Sequence, residues 1–217
     1  MITVNTFPVG ELQSNCHIVV NSQDNSTVLV DCGGNPVSIL KYLNDNSLNL
    51  KAILLTHGHY DHFEGASIVQ AKTNCKVYIS KLDSSMLTDK DTSLAKALGY
   101  YDFQPVSEFT TVTDGDTIKE ANLEFKVLST PGHTMGSVCY ICQDCLFTGD
   151  TLFKHSMGRT DFPNGNYFDM QKSLDRLYNL KGDYRVYTGH NQNSTLNEER
   201  KNNPYLLDAI RNVDEFF

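Results

Sequence analysis

The most constraining feature of this chain is a pattern that occurs four times: an apolar run, then a threonine, then a metal-capable side chain. Short apolar runs of this kind predict buried strands. Three of the four also carry a glycine, which lets the backbone turn sharply and approach an ion closely. Strand ends in layered β folds lie on one edge, so we expect the four side chains to converge. The segments are residues 54–57, 128–133, 146–150 and 186–190, which end in His57, His133, Asp150 and His190.

The first segment continues into the densest cluster of metal-capable groups in the chain. His57, His59, Asp61 and His62 all fall within six residues. Alternation in an extended turn places His57 and His59 on one side. Asp61 and His62 then begin a helix and point elsewhere, so one segment can serve two ions. Imidazole with carboxylate suits zinc, iron or manganese, and we expect carboxylates or carbonyls to hold the second ring nitrogens.

The other histidines and a group of cysteines favour structural interpretations. His17 lies inside a predicted strand, which favours a structural role. His155 lies just past the candidate site, where a role on the substrate side is the less favoured alternative. Cys139, Cys142 and Cys145 have a spacing that resembles a cluster-binding run. A hairpin predicted across these residues would splay the thiols, which favours buried structural cysteines.

The order of predicted strands and helices indicates one α/β domain. A length of 217 residues suits a single domain with a sizeable core. Two similar halves, about residues 1–82 and 109–217, each run strands, then a helix, then a strand that ends in a candidate ligand. This order predicts two sheets packed face to face with helices outside. Residues 83–108 break the rhythm and predict a helical excursion, with a helix over residues 91–98.

The net charge and the length of the apolar runs limit the kinds of partner that we expect for this protein. The net charge is -8 and the sequence pI is about 5.3, and an acidic surface repels phosphate backbones, so we expect no nucleic-acid partner. The first residues lack a basic stretch followed by an apolar one, and no apolar run is long enough to span a membrane. We therefore expect a cytoplasmic protein that acts on a small molecule.

The order of candidate ligands resembles that of the metallo-β-lactamase superfamily, and the resemblance spans nearly the whole chain. It implies an αββα four-layer sandwich with the site at one sheet edge. It also implies two metal ions, with one aspartate between them. The first ion would be held by His57, His59 and His133, the second by Asp61, His62 and His190, and both by Asp150.

Two further segments, residues 149–153 and residues 158–162, resemble the glyoxalase II-like group of this superfamily. The ending, residues 195–199 and then residues 203–206, resembles its short, single-domain bacterial members. The chain departs from the longer glyoxalases II in two ways: Asp161 stands where they carry an aromatic residue, and their separate C-terminal helical domain is missing. Both departures leave glutathione open as the thiol carrier.

This resemblance implies hydrolysis of a thioester such as S-lactoylglutathione or a related hydroxyacyl thioester. A hydroxide formed at two divalent ions, zinc or alternatively iron or manganese, would attack the acyl carbon. Asp61 and Asp150 would be the catalytic carboxylates, with Asp61 moving a proton. Arg159 would bind the carboxylate of the substrate.

Proteins with other activities also resemble this pattern of residues. Persulfide dioxygenases would use His57, His133 and Asp150 to hold a single iron. Nucleic-acid processing is disfavoured by the acidic charge, and a non-catalytic binding module is disfavoured by the complete ligand set. An aspartate at position 150, where true β-lactamases have a cysteine, argues against antibiotic hydrolysis.

Overall fold

The computed structural model describes residues 1–213, with side chains through residue 210. Over that range the chain forms two six-stranded sheets and one two-stranded sheet. The first sheet has the order β1-β2-β3-β4-β5-β6 and consists of β1 (Ile2–Val9), β2 (Ser14–Asn21), β3 (Ser26–Val30), β4 (Asn49–Leu54), β5 (Lys76–Ser80) and β6 (Thr110–Val112).

The second sheet has the order β14-β13-β10-β9-β8-β7. Its strands are β7 (Thr117–Glu120), β8 (Leu123–Ser129), β9 (Val138–Cys142), β10 (Cys145–Gly149), β13 (Arg185–Thr188) and β14 (Ser194–Thr195). The small hairpin consists of β11 (Leu152–Phe153) and β12 (Ser156–Met157). The helices are α1 (Val37–Asp45), α2 (Ala66–Thr73), α3 (Tyr167–Tyr178), α4 (Leu196–Asn202) and α5 (Pro204–Val213).

Three apolar clusters separate four layers. One lies between the first sheet and the helices α1 and α2, where Ile39 and Val69 pack with Ile53. Another lies between the two sheets, where Leu54 packs with Phe147. The third covers the outer face of the second sheet with α3, α4 and α5. This arrangement confirms the predicted αββα sandwich.

The direction of the strands brings the candidate ligands to one edge. In the first sheet β3 and β4 are parallel. In the second sheet β10 and β13 are parallel, and β8 runs in the same direction because both β8 and β10 are antiparallel to β9. Backbone hydrogen bonds join the sheets at this edge: Val138 N donates to Thr56 O at 2.9 Å, and Asn15 N donates to Gly189 O at 2.7 Å.

The prediction of a helix over residues 91–98 is wrong. Residues 91–98 instead form irregular turns, which follow a short 3-10 helix at Ser84–Thr88. Leu94 has a φ of 64°, which ends any regular right-handed winding. Asp89 Oδ1 also accepts a hydrogen bond from Asp91 N at 2.8 Å, and such local bonds compete with helix formation.

The excursion returns to the first sheet rather than entering the second. β6 follows it and pairs with β5 in parallel, so the first sheet extends past the predicted boundary at residue 109. The division into two similar halves stays a prediction. Within the described residues, none of the helices has both the length and the apolar character that crossing a membrane requires.

Candidate metal centre

Three histidine rings from two loops face a common point. His57 and His59 follow β4, and His133 follows β8. His57 Nε2 lies 3.1 Å from His59 Nδ1, and His59 Nδ1 lies 2.9 Å from His133 Nε2. All three residues are buried. These three residues therefore lie together, as the sequence predicted.

A second group lies beside the first. Asp61 and His62 are in a 3-10 turn at Tyr60–His62, which confirms that they turn away from the extended segment before them. His62 Nε2 lies 3.2 Å from His190 Nε2, and Asp61 Oδ2 lies 3.3 Å from the same His190 atom. One sequence segment thus supplies both groups.

Asp150 stands between the two groups. Its Oδ1 lies 3.4 Å from His62 Nε2, whereas its Oδ2 lies 3.5 Å from His133 Nε2 and 3.6 Å from His190 Nε2. A Cβ at Gly189 would be 2.2 Å from Asp150 Oδ1. Glycine at this strand end is therefore required for the close approach, as the sequence pattern predicted.

The positions of the seven side chains suit the binding of two cations better than direct hydrogen bonding among the side chains. His57 and His133 both direct Nε2 at the same nitrogen of His59, and a single N–H cannot satisfy both. Nitrogen ligands at about 2.0–2.1 Å from a tetrahedral ion lie roughly 3.3 Å apart, close to the spacings found here. Asp150 Oδ1 is buried and has no hydrogen-bond partner among the described residues. Bound cations would supply a partner for each of these lone pairs.

A buried carboxylate, Asp31, holds the outer nitrogen of His62 directly and that of His57 through the Thr56 hydroxyl. His62 Nδ1 donates to Asp31 Oδ2 at 2.9 Å. Thr56 N and Thr56 Oγ1 donate to the two oxygens of Asp31 at 2.8 Å each. His57 Nδ1 lies 3.1 Å from Thr56 Oγ1. The network fixes the tautomer of His62 so that Nε2 carries a free lone pair.

Backbone carbonyls hold two more rings. His133 Nδ1 donates to Arg159 O at 2.7 Å, and His190 Nδ1 donates to Leu12 O at 3.1 Å. The expectation that carboxylates or carbonyls hold the second nitrogens is confirmed for His62, His133 and His190. His59 Nε2 departs from it, because it has no partner in the described part of the chain.

Two aspartates that support the site were not predicted. Asp31 follows the apolar strand β3 at its carboxyl end, so the strand-end pattern could have identified it. Asp83 accepts hydrogen bonds from Gly58 N at 3.0 Å, Gly136 N at 2.9 Å and Thr134 Oγ1 at 2.6 Å. It thereby ties together the loops that carry the first three histidines. No local pattern marks Asp83, since its partners are distant in sequence.

Burial keeps the first group of rings neutral. It lowers the pKa of His57 well below its ordinary value, and the neighbouring histidines lower it further. Burial also lowers the pKa of His59 to about 3, and His133 adds to this effect. Neutral imidazoles are the form that binds a metal.

In the second group, charged neighbours outweigh burial in setting the pKa values. Burial opposes charge on His62, but Asp61, Asp150 and Asp31 outweigh it and raise the pKa of His62 above its ordinary value. Burial likewise acts to raise the pKa of Asp61, yet His62 and His190 lower it below its usual range. The surplus of negative charge here attracts either a proton or a metal cation.

A cavity of about 780 Å³ opens onto both groups. Arg159 lines it, and its Nε and Nη2 donate to the two oxygens of Asp161 at 2.7 Å each. The Arg159 guanidinium carbon lies 4.0 Å above the centre of the Phe162 ring. The Phe162 ring in turn contacts His59 edge-on at 5.6 Å between centroids. The predicted substrate-binding arginine is therefore next to the site and held by its own neighbours.

The histidines predicted to be structural lie outside the cluster. His17 is buried, with Nδ1 at 3.0 Å from Thr6 Oγ1 and Nε2 at 3.0 Å from Thr188 O. It thus links the two sheets. His155 pairs with Glu198 at 2.9 Å and does not line the cavity.

The cysteines are buried and free. Cys139 faces the helices on the outer side of the second sheet, whereas Cys142 and Cys145 face the other sheet. The predicted splaying of this run is therefore confirmed, and these thiols belong to the core.

The fold and the paired clusters of histidine and aspartate define a protein with a candidate dinuclear metal centre. The sequence profile of the metallo-beta-lactamase superfamily matches residues 9–190. The chain belongs to this superfamily.

Three similar proteins illustrate the range of activities and metals. Hydroxyacylglutathione hydrolase GloC of Haemophilus influenzae is 30% identical over 211 residues, covering 94% of this chain and 98% of GloC. BLEG-1, a B3 metallo-beta-lactamase, superposes with a TM-score of 0.89 at 29% identity, covering 94% of this chain and 99% of BLEG-1. TTHA1623 in a di-iron-bound form superposes with a TM-score of 0.84 at 30% identity, covering 93% of this chain and 99% of TTHA1623.

Proposed function

We propose that the protein is a metal-dependent hydrolase that cleaves thioesters such as S-lactoylglutathione or a related hydroxyacyl thioester. The observation that carries this proposal is the pair of ligand groups joined by Asp150 at the floor of the cavity. The likeness to GloC over nearly the full length of both chains supports the choice of thioesters. The partner is a small molecule in the cytoplasm, and the net charge of -8 disfavours nucleic acid.

The seven clustered residues would hold two divalent ions. Zinc is the first choice for imidazole and carboxylate donors, and iron is supported by the di-iron form of TTHA1623. Bound there, the ions would supply Lewis acidity, which lowers the pKa of a bound water and polarises a carbonyl. His57, His59 and His133 would hold one ion, Asp61, His62 and His190 the other, and Asp150 both.

The chain's own groups would handle the proton and orient the substrate. Asp61 is kept ionised by His62 and His190, and this carboxylate would relay the remaining proton of the attacking water. The leaving thiolate needs little acid assistance, because a thiol has a pKa of about 8.5. Arg159 uses one edge of its guanidinium for Asp161. Its Nη1 remains available for a substrate carboxylate.

The test combines metal analysis with a thioester panel. Protein purified without added metal is measured for metal content and assayed with S-lactoylglutathione and related thioesters. Asp61→Asn and His133→Ala should each abolish turnover. His155→Ala is the matched control, because this histidine is exposed, pairs with Glu198 and lies outside the cavity. Full activity in both site variants would refute the proposal.

The same preparation distinguishes the rival activities. The likeness to BLEG-1 favours β-lactam hydrolysis as a second candidate, against the expectation drawn from Asp150. A chromogenic cephalosporin in the substrate panel tests it directly. One iron per chain, with oxygen uptake on addition of a persulfide, would instead identify a dioxygenase that uses His57, His133 and Asp150.

A further inference from the structure

The excursion over residues 83–108 supplies part of the wall of the active-site cavity. Leu94 and Leu98 line this cavity together with His59 and Asp61. Leu94 is 8% exposed and Leu98 is 38% exposed. Leu12, from the turn between β1 and β2, lines the same cavity. Three leucines from two separate loops therefore face the space above the metal ligands.

This wall is anchored to the core and to the metal loop. Leu87, Ala95 and Val106 are fully buried in the cluster beneath the first sheet. Ser93 O accepts a hydrogen bond from Tyr60 N at 2.9 Å, and Tyr60 stands directly between His59 and Asp61 in sequence. The position of Leu94 is thus fixed relative to the candidate ligands.

Leu94 adopts a backbone conformation that leucine disfavours. Its φ is 64°, in the left-handed region where a Cβ crowds the backbone. Leu98 N donates to Leu94 O at 2.9 Å, and Tyr100 N donates to Ala95 O at 2.9 Å, so turns on the C-terminal side hold this conformation in place. Strained residues concentrate at functional sites, where the surrounding structure maintains them.

The cavity therefore offers two kinds of surface. Arg159 provides a cation that suits an anionic thiol carrier. The leucine wall provides an apolar surface that suits a hydrocarbon chain. Resting on the proposed thioesterase function, we propose that Leu94 and Leu98 form an acyl-binding wall, and that the thioesters cleaved include those with an apolar acyl chain of several carbons.

A chain-length series tests this proposal. Acetyl, butyryl and hexanoyl thioesters of one thiol carrier are assayed with the metal-loaded protein. Half-burial of each methylene raises kcat/KM about twofold, so the four additional methylenes of hexanoyl should raise kcat/KM about 16-fold over that of acetyl. Leu98→Ala should lower kcat/KM for the hexanoyl thioester about fivefold and leave that for the acetyl thioester nearly unchanged, because Leu98 offers the larger exposed apolar area. Leu94→Ala should act in the same direction with a smaller effect, because Leu94 is only 8% exposed.

Leu82→Ala is the matched control, since Leu82 is 60% exposed and does not line the cavity. It should leave the chain-length profile unchanged. Binding of the S-methyl and S-hexyl thioethers of the same carrier, measured by calorimetry, gives a readout without turnover. The hexyl compound should bind about fivefold more tightly to the wild type than to Leu98→Ala.

The outcomes separate this inference from the proposed function. A flat chain-length profile, or an equal loss for all acyl lengths in Leu98→Ala, would overturn the acyl wall while leaving thioester hydrolysis intact. Sensitivity to the thiol portion rather than to the acyl portion would overturn it as well. Absence of thioester hydrolysis would refute the proposed function, and the thioether binding would still decide whether the leucines recognise a hydrocarbon chain.

Discussion

Replacement of Asp31 by Asn tests how far the metal centre depends on a residue that would touch no metal. Asp31 accepts from Thr56 N, Thr56 Oγ1 and His62 Nδ1 at 2.8–2.9 Å, and all of these atoms are donors. Asparagine can adopt the backbone at this position, where φ is 58°. Its amide, however, replaces one acceptor oxygen by an NH₂ group. If the remaining oxygen faces Thr56 N, the NH₂ group faces His62 Nδ1.

His62 must then move its proton to Nε2, the nitrogen that faces Asp61, Asp150 and His190. Protonated Nε2 cannot bind a cation. Groups that hold the outer nitrogen of a ligand histidine contribute about 10–100-fold to metal affinity. This range corresponds to about 1.4–2.8 kcal/mol. We therefore expect Asp31→Asn to weaken the site formed by Asp61, His62 and His190 by that amount, measured by competition with a chromogenic zinc chelator.

Asp83→Asn provides the matched control. Asp83 is equally buried and also accepts three hydrogen bonds, but from Gly58, Thr134 and Gly136 rather than from a ring. Both variants should lose similar stability to urea, because each loses charged hydrogen bonds. Only Asp31→Asn should show the loss of affinity for the second ion. Equal zinc affinity in Asp31→Asn and the wild type would refute the tautomer argument.

Three other predictions, one of them with a control variant, concern the fold and the site. Burial lowers the pKa of His17 to about 4, so its folded-state pKa lies below the unfolded value of about 6.5. The resulting contribution to the free energy of unfolding, up to roughly 3 kcal/mol, is present above pH 6.5 and is lost as the pH falls toward 4. In urea unfolding, His17→Gln should therefore lose less stability than the wild type between pH 7 and pH 5. Parallel plots of stability against pH for the two proteins would contradict this assignment. Gly189→Ala places a Cβ 2.2 Å from Asp150 Oδ1, and a displaced ligand should lower kcat/KM about 100-fold. Gly182→Ala, where a Cβ meets nothing within 4 Å, should lower stability only. Asn166 caps α3 by accepting from Asp169 N at 3.1 Å; Asn166→Ala should cost about 1 kcal/mol in urea unfolding without changing kcat.

The placement of the candidate ligands could be predicted because it depends on local sequence. Each of the four segments joins an apolar run to a ligand through threonine or glycine, and buried strands are recognisable from such runs. The two-layer arrangement of sheets then brings strand ends to one edge. For this reason His57, His133, Asp150 and His190 could be placed together before the fold was known.

Features that depend on tertiary contacts could not be predicted. Residues 91–98 have a spacing compatible with a helix, but Ala95 is drawn into the core and Ser93 binds the metal loop, so Leu94 takes a left-handed conformation instead. Asp83 is recognisable only through partners more than twenty residues away in sequence. The ion pair between Arg159 and Asp161 could not be predicted from the sequence either, because a contact between residues i and i+2 depends on the conformation of the local turn.

The central claim is that the seven clustered residues hold two metal ions with Asp150 between them. A crystal of the metal-loaded protein, measured with X-rays at the absorption edge of the bound metal, tests it most directly. The account predicts two anomalous peaks per chain, one within the group of His57, His59 and His133 and one within the group of Asp61, His62 and His190. A single peak, or a peak away from Asp150, would contradict it.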